Sequence, residues 1–299
     1  MGAKEGSVGR MEKARAFVLA NARLLDRRRY EMLFECGSAD AVITALKAYQ
    51  NPDGGFGNAL EPDMRTSASQ PVAVEQALWI MEEANRFDAD IIAGIASYLK
   101  SVTIPVTGGF PRAHLSVNEA PHAPWWTTAD DLQASLNPTG NVLGLLYKQT
   151  AVNDFKEEEW FTRSVEFVWN RIPQADQRDY HDLHQCITFL QHAPDRVRAA
   201  AMQEELNDWL RQPGVIELDP RAEGYVHKVL DWVPAPASYA AKLISPADIE
   251  RHLDDLETQQ EEDGGWKVSF PSISAGNEAE WRGLITVNRL FTLRAYGRL

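Results

Sequence analysis

The sequence predicts an all-α protein built from repeated helical hairpins. Three observations carry that expectation. Apolar residues recur at helical spacing along most of the chain, strand-like alternation is scarce, and one short glycine motif returns at a regular interval.

Taken in chain order, the stretch SADAVITALKAYQ (38–50) places Val42, Ala45, Leu46 and Tyr49 at i, i+3, i+4 and i+7, a single apolar stripe. Val74, Ala77, Leu78 and Met81 repeat that spacing. Ser245 reads as an N-cap, with Pro246 at the first helical position, Asp248 in the first turn, and Ile249, Leu253 and Leu256 on the buried face. A last helix, about 278–296, would bury Leu284, Val287, Leu290, Phe291 and Ala295. The best strand candidates, GVIELD (214–219) and GWKVSF (265–270), are short and adjoin turn residues.

Composition sets the outer limits. With 44% hydrophobic and 24% charged residues among 299, and no shift in composition along the chain, a single domain over 1–299 is expected, with 1–9 as a flexible tail. The net charge of −13 opposes nucleic acid and anionic membrane as partners. No apolar run approaches the roughly 18–20 residues that span a bilayer, and the first residues lack a signal-peptide apolar segment, so a cytoplasmic location is expected. Cys36 and Cys186 are too few and too far apart for a disulfide framework and read as buried free thiols.

The repeat is the strongest organising signal. Gln50-x-x-Asp53-Gly54-Gly55-Phe56 returns as Gln260-x-x-Asp263-Gly264-Gly265-Trp266, and Gly108, Gly109 and Phe110 keep a worn copy. Gly109 lies 54 residues after Gly55, and Gly265 lies 210 after it, about four units of 52. Gly214 falls near the phase of a further unit. A unit of this length holds two helices and loops, a hairpin that must lean on its neighbours to bury both faces. In each motif the glycines end a helix with positive φ available, Phe56 or Trp266 plugs the helix end, and the glutamine is placed to bond loop backbone.

The motif resembles the repeat of the prenyltransferase and squalene-oxidase superfamily, the element shared by terpenoid cyclases and protein prenyltransferase β subunits. The resemblance covers about Ser38 to Leu299, and the stretches DGGFGNALEPDMR, HAPWW and AEGYVHKVLDWVPAP look like a bacterial branch of it. It implies an α/α toroid of about five or six helical hairpins, with a cavity at the ring's centre and an isoprenoid cyclase or transferase-like activity. The chain departs from the characterised members at two places. The D-x-D-D acid motif of the cyclases is missing, since Thr128 stands where the first Asp before Asp130-Asp131 belongs. The zinc site of protein prenyltransferases has only His181, Asp182, His184 and Cys186 as its nearest counterpart, and these pair onto different helical faces where three or four convergent ligands are needed. No metal and no cofactor are therefore expected.

Phase within the repeat suggests where chemistry sits. If each glycine pair ends one helix of a hairpin, the loops that follow emerge at one end. Those loops carry Glu61 and Asp63; then His114, His122, Trp125, Trp126, Asp130 and Asp131; then Tyr225, His227, Asp231 and Trp232; then Glu278, Glu280, Trp281 and Arg282. Glu61, Asp63 and Asp131 are the candidate acids. Trp125, Trp126, Asp130, Tyr225, Asp231, Trp232, Glu280, Trp281 and Arg282 are the candidate lining. Each residue also has a plain role: the tryptophans as core caps, Glu278 and Glu280 at a helix N-terminus, Glu61-Pro62-Asp63 as a polar turn.

An acidic, aromatic mouth suits a small-molecule ligand. The resemblance implies an isoprenoid, while aromatic stacking with paired carboxylates fits a carbohydrate cleaved by acid and base. A third reading is a binding module whose carboxylates pair with Arg65, Arg112 or Arg282. Diphosphates are disfavoured by scattered bases and the lack of a glycine-rich cradle, and no nucleophilic serine, Walker or dinucleotide motif appears.

Overall fold

The computed structural model describes residues 2–299, with side chains from Val8 onward. Met1, and with it the start of the tail expected over 1–9, lies outside the described residues; α1 runs Gly2–Asn21 and α2 Leu24–Phe34. There follow α3 (Ala39–Lys47), α4 (Pro71–Glu83), α5 (Ala89–Val102), α6 (Leu136–Lys148), α7 (Glu159–Arg171), α8 (Tyr180–His192) and α9 (Arg196–Leu210). The chain continues with α10 (Val229–Trp232), α11 (Pro246–Thr258) and α12 (Ala275–Ala295). Helix accounts for 59% of the structure and strand for 3%, so the class is all-α. Among the described residues no helix is long and apolar enough to cross a membrane.

Contacts gather into two compact units, one of residues 39–206 and one in which 1–38 join 207–299. In the 39–206 unit, α6 packs against both α4 and α8. Gly140 and Gly144, one turn apart on α6, permit the second contact: a Cβ at either would meet α8 backbone at 2.8 Å or less. The apolar stripes behave as their spacing predicts, with Val42, Ala45 and Leu46 buried on α3 and Val74, Ala77, Leu78 and Met81 buried on α4. Asp88 and Asp179 cap α5 and α8, their side chains accepting from Ile91 N and Asp182 N at 3.1 and 2.8 Å.

In the unit of 1–38 and 207–299, α12 packs on α1 and α2, and α10 on α11. Ser245 caps α11 through Asp248 N at 3.1 Å, with Pro246 behind it, as the sequence predicts. α12 begins about a turn before its predicted start because Ser274 accepts from Asn277 N at 3.1 Å. Val287 and Leu290 are buried on it, while Leu284, Phe291 and Ala295 are half-buried.

Neither strand candidate forms a strand. The two short strands are β1 (Phe110–Pro111) and β2 (Ala134–Ser135), paired antiparallel with Phe110 opposite Ser135. Of GVIELD, Glu217 makes one isolated bridge to Lys228. In GWKVSF, Trp266 is a buried plug whose backbone N–H donates to the Thr286 hydroxyl at 3.2 Å. Cys36 also departs from expectation: it is exposed, at φ +59° just past the end of α2, and only Cys186 is buried.

The glycine motif is a helix-docking device. Gln50 Nε2 donates to Gly54 O at 3.1 Å and Ile91 O at 3.4 Å; Gln260 Nε2 donates to Gly264 O at 2.9 Å and Arg10 O at 3.1 Å. Gly55 N donates to Asp53 Oδ1 at 2.9 Å and Gly265 N to Asp263 Oδ1 at 3.0 Å. Gly54, at φ +88°, lies so close to the partner helix that a Cβ would meet Gly94 O at 2.1 Å; Gly264, at φ +94°, would meet Lys13 O at 2.2 Å. Each second glycine rests on an aromatic ring one turn further on, Tyr98 or Phe17. The worn copy keeps the geometry without the Gln and Asp, Gly108 against Arg163 O and Gly109 against Phe167. The partner helix thus offers a carbonyl at i, a backbone approach at i+3 and a ring at i+7. Through the last copy, the C-terminal part of the chain grips α1.

Candidate functional site

Within the 39–206 unit the loops that follow the first two glycine turns do meet. Met64 and His122 form an antiparallel bridge, Ala123 N donates to Asp63 O at 2.9 Å, and Arg65 N donates to Pro121 O at 3.0 Å. Glu61 and Asp63 are both buried at this seam, and Glu61 Oε2 accepts from Gln76 Nε2 of α4 at 2.6 Å. Trp126 is buried beneath the Arg112 guanidinium, whose carbon lies 4.8 Å from the ring centroid, while Trp125 is exposed. Asp131 caps the turn at Leu115, accepting its N–H at 2.6 Å, and stands 3.4 Å from His114 Nδ1. Burial pushes His114 toward the neutral imidazole, against the pull of Asp131. Asp130 accepts from Leu132 N at 2.8 Å.

One residue before Gln76 on α4 lies a carboxyl that the loop pattern does not reveal. Glu75 is buried, and its Oε1 accepts from Asn141 Nδ2 at 2.5 Å and from Gln185 Nε2 at 2.8 Å. Burial is the largest influence and pushes its pKa up to about 7, against the two amides and Arg112, which favour the anion. A carboxyl so placed is poised to give or take a proton near neutral pH. The amides form a chain: Gln185 Oε1 accepts from Asn141 N at 2.6 Å, and Gln185 Nε2 reaches Asn137 Oδ1 at 3.4 Å. Asn141 Oδ1 is buried without a hydrogen-bond partner.

Next to Asn137, Leu136 forms part of the wall of a cavity of about 340 Å³. Its polar lining comes from Arg112, Thr128, Asp130, Gln133, Ser135, Arg171 and Asp182. Burial, joined by Asp179 and Asp176, raises the Asp182 carboxyl above the ordinary range, against the hydrogen bond from Asp176 N and the charge of Arg171. A second hollow of about 410 Å³ lies beside Lys100 and Arg163, but their charges are already matched, Lys100 to Glu158 at 2.6 Å and Arg163 to Glu159 at 3.3 Å.

The remaining predicted residues belong to the other unit, where several have evident structural partners. Asp231 receives Arg289 at 3.1 Å and caps α10 by accepting Lys228 N at 2.9 Å. Trp232 is buried, and Tyr225 is exposed with its ring 5.0 Å from His227. Arg282 pairs with Asp263 at 2.8 Å and covers Phe17 at 4.6 Å, so it braces the last motif on α1. Trp281 meets Phe270 edge-on at 5.1 Å, and Glu280 is half-buried. The sequence grouped all of these with the first two loops; the unit of 39–206 brings together Glu61, Asp63, Trp125, Trp126, Asp130 and Asp131.

Among the described residues no group of three or more His, Cys, Asp and Glu is arranged to hold a metal. His181 and His184 pack their rings on Tyr180 at 5.4 and 4.8 Å, and burial drives the Cys186 thiol well above its ordinary range. No protein-family model matches the chain, and no curated protein or solved structure matches it either.

Glu75, Asn141, Gln185 and Arg171 are the residues that sequence reasoning missed. One signal was available: Glu75 interrupts the apolar run Val72–Leu78, and a charge within a buried helical stripe needs partners. Asn141 and Gln185 give no comparable sign, because their pairing depends on how closely α6 approaches α8.

Proposed function

We propose that the 39–206 unit binds a small hydroxylated ligand of the carbohydrate class in the cavity of about 340 Å³, with Asp130 and Asp182 as the carboxyl groups that line it. The observation that carries this reading is the lining itself, two carboxylates, two guanidiniums, two hydroxyls and an amide, which matches sugar hydroxyls and offers little to a hydrocarbon chain. Acid–base work on a glycosidic bond needs two carboxyl groups in unlike protonation states. Asp130 and Asp182 both face the cavity, and the raised Asp182 suits the acid.

A second reading keeps the resemblance: an α/α toroid holding an isoprenoid-type ligand. It is favoured by the glycine motif, whose three copies dock on their partner helices alike, as successive hairpins of a closed ring would. Calorimetric titration with a panel of mono- and disaccharides beside geranylgeraniol separates the two. Heat from saccharides alone is the expected result. Heat from the isoprenoid alcohol alone, or from neither class, overturns the carbohydrate reading.

A further inference from the structure

We infer that the ligand of this cavity carries an oxyanion, a carboxylate or a phosphate, held between Arg112 and Arg171. The inference rests on the carbohydrate reading for the body of the ligand and adds the group by which it is gripped. Both arginines line the cavity, Arg112 from the segment after β1 and Arg171 from the last position of α7. Among the described residues neither is in an ion pair: Arg112 has the Trp126 ring, and Arg171 has the neutral Gln174 side chain, its Nη1 donating to Oε1 at 3.2 Å.

Most arginines of the chain are paired with an acid, and those that are not, such as Arg27 and Arg196, donate to backbone carbonyls; among the described residues Arg112 and Arg171 have neither. The protein is acidic, with 43 carboxylate side chains to 30 lysines and arginines, and arginines such as Arg163, Arg211, Arg251, Arg282, Arg289 and Arg298 have taken acidic partners. Nor does either carboxylate of the cavity come within ion-pair distance of the two arginines, although the charge of Arg171 is felt at Asp182. Asp130 accepts from Leu132 N at 2.8 Å and Gln133 Nε2 at 3.4 Å, and Asp182 accepts from Asp176 N at 3.2 Å. Backbone and amide donors hold both acids in place, and the guanidiniums are left over.

The manner in which Arg112 is held adds direction. Its guanidinium carbon lies 4.8 Å over the Trp126 ring, and among the described residues its N–H donors have no protein acceptor. A planar fork at the edge of a cavity is suited to two oxygens of one anion. The Ser135 hydroxyl, the Gln133 carbonyl oxygen and the lone pairs of the Thr128 hydroxyl, which itself donates to Asp130 O at 3.0 Å, remain for the hydroxylated body. A sugar acid or a sugar phosphate satisfies both halves, and the two are told apart by titration.

The test is isothermal titration of the full chain at fixed ionic strength with glucose, glucuronate, glucose 6-phosphate and inorganic phosphate. The expected result is that one of the acidic sugars binds at least ~10-fold tighter than glucose, and that Arg112→Gln and Arg171→Gln each weaken it by about tenfold. Both positions are exposed, and circular dichroism confirms that the variants fold. Whichever acid binds tighter identifies the anion. Glucose binding as well as its acids, or acids binding both variants as tightly as the wild type, overturns the inference and leaves the carbohydrate reading standing. Phosphate binding that depends on the arginines, with no response to any sugar, supports the anion site and overturns the carbohydrate reading. Silence from phosphate and both acids overturns the inference whatever glucose does.

Discussion

Glu75→Gln isolates the proton chemistry of the buried carboxyl. The side chain is fully enclosed, and its pKa rises from 4.5 to about 7. At 1.36 kcal/mol for each unit, the folded state prefers the protonated form by about 3 kcal/mol. The sign follows from which state holds the proton harder. Because the native pKa lies above the unfolded one, this stabilisation is fully present below about pH 4.5, falls away as pH rises toward 7, and changes no further above it. Glutamine keeps the size and the carbonyl oxygen that accepts from Asn141 and Gln185, but it does not titrate. Urea denaturation of wild type and variant, followed by tryptophan fluorescence at pH 4.5 and pH 8, gives the difference between them and cancels every other titrating group. The variant should gain on the wild type by about 3 kcal/mol between the two conditions. A difference constant to within about 0.5 kcal/mol, or one that favours the wild type as pH rises, refutes the assignment of a raised pKa to Glu75.

Three further outcomes are expected. Gly54→Ala and Gly264→Ala force a Cβ within 2.1 and 2.2 Å of a carbonyl oxygen at positive φ and should each cost more than about 3 kcal/mol, whereas Gly214→Ala, at φ +81° with nothing near, should cost about 1–2 kcal/mol; equal losses in denaturant midpoint at the three sites would contradict the docking role. Asp26 is buried between Arg23 Nε at 2.8 Å and Arg29 Nη1 at 3.0 Å, so Asp26→Ala should destabilise by about 3–5 kcal/mol, and a loss under about 1 kcal/mol would remove that pair from the account. Of the two thiols, exposed Cys36 should react with a disulfide reagent at once and Cys186 only on unfolding; a Cys36→Ser protein that still shows the fast phase would disprove it.

Much of the helical framework was readable because its causes are local. A stripe such as Val74, Ala77, Leu78 and Met81 needs only its own spacing, and the cap at Ser245 needs only Pro246 and Asp248 beside it. The glycine motif was half readable. Its internal bonds follow from Gln, Asp and Gly in sequence, but the helix it grips is announced by nothing nearby: Ile91, Gly94 and Tyr98 in one case, and Arg10, Lys13 and Phe17 in another, share position without sharing residue type. Backbone carbonyls, which every residue owns, make the contact. Loop phase pointed to Glu61, Asp63, Trp126, Asp130 and Asp131, of which Asp130 lines the cavity, whereas Glu75 depends on Asn141 and Gln185, 66 and 110 residues away. Arg171 sits in an ordinary polar helix end and becomes noteworthy only beside Arg112 in one cavity.

The grip of Gln260 on Arg10, 250 positions back, has a consequence for how the protein comes into being. Residues 39–206 are contiguous and leave the ribosome as a complete set, but the other unit joins 1–38 to 207–299. At about 5–20 residues per second, the first helix is made roughly 12–50 s before the turn that holds it. Through that interval Ala14, Phe17 and Val18, all buried in the finished protein, have no partner from the C-terminal segment. Newborn chains stalled short of Gln260 should therefore leave these three side chains of α1 without their later partner, ready for a chaperone to hold until residues 260–266 have been made.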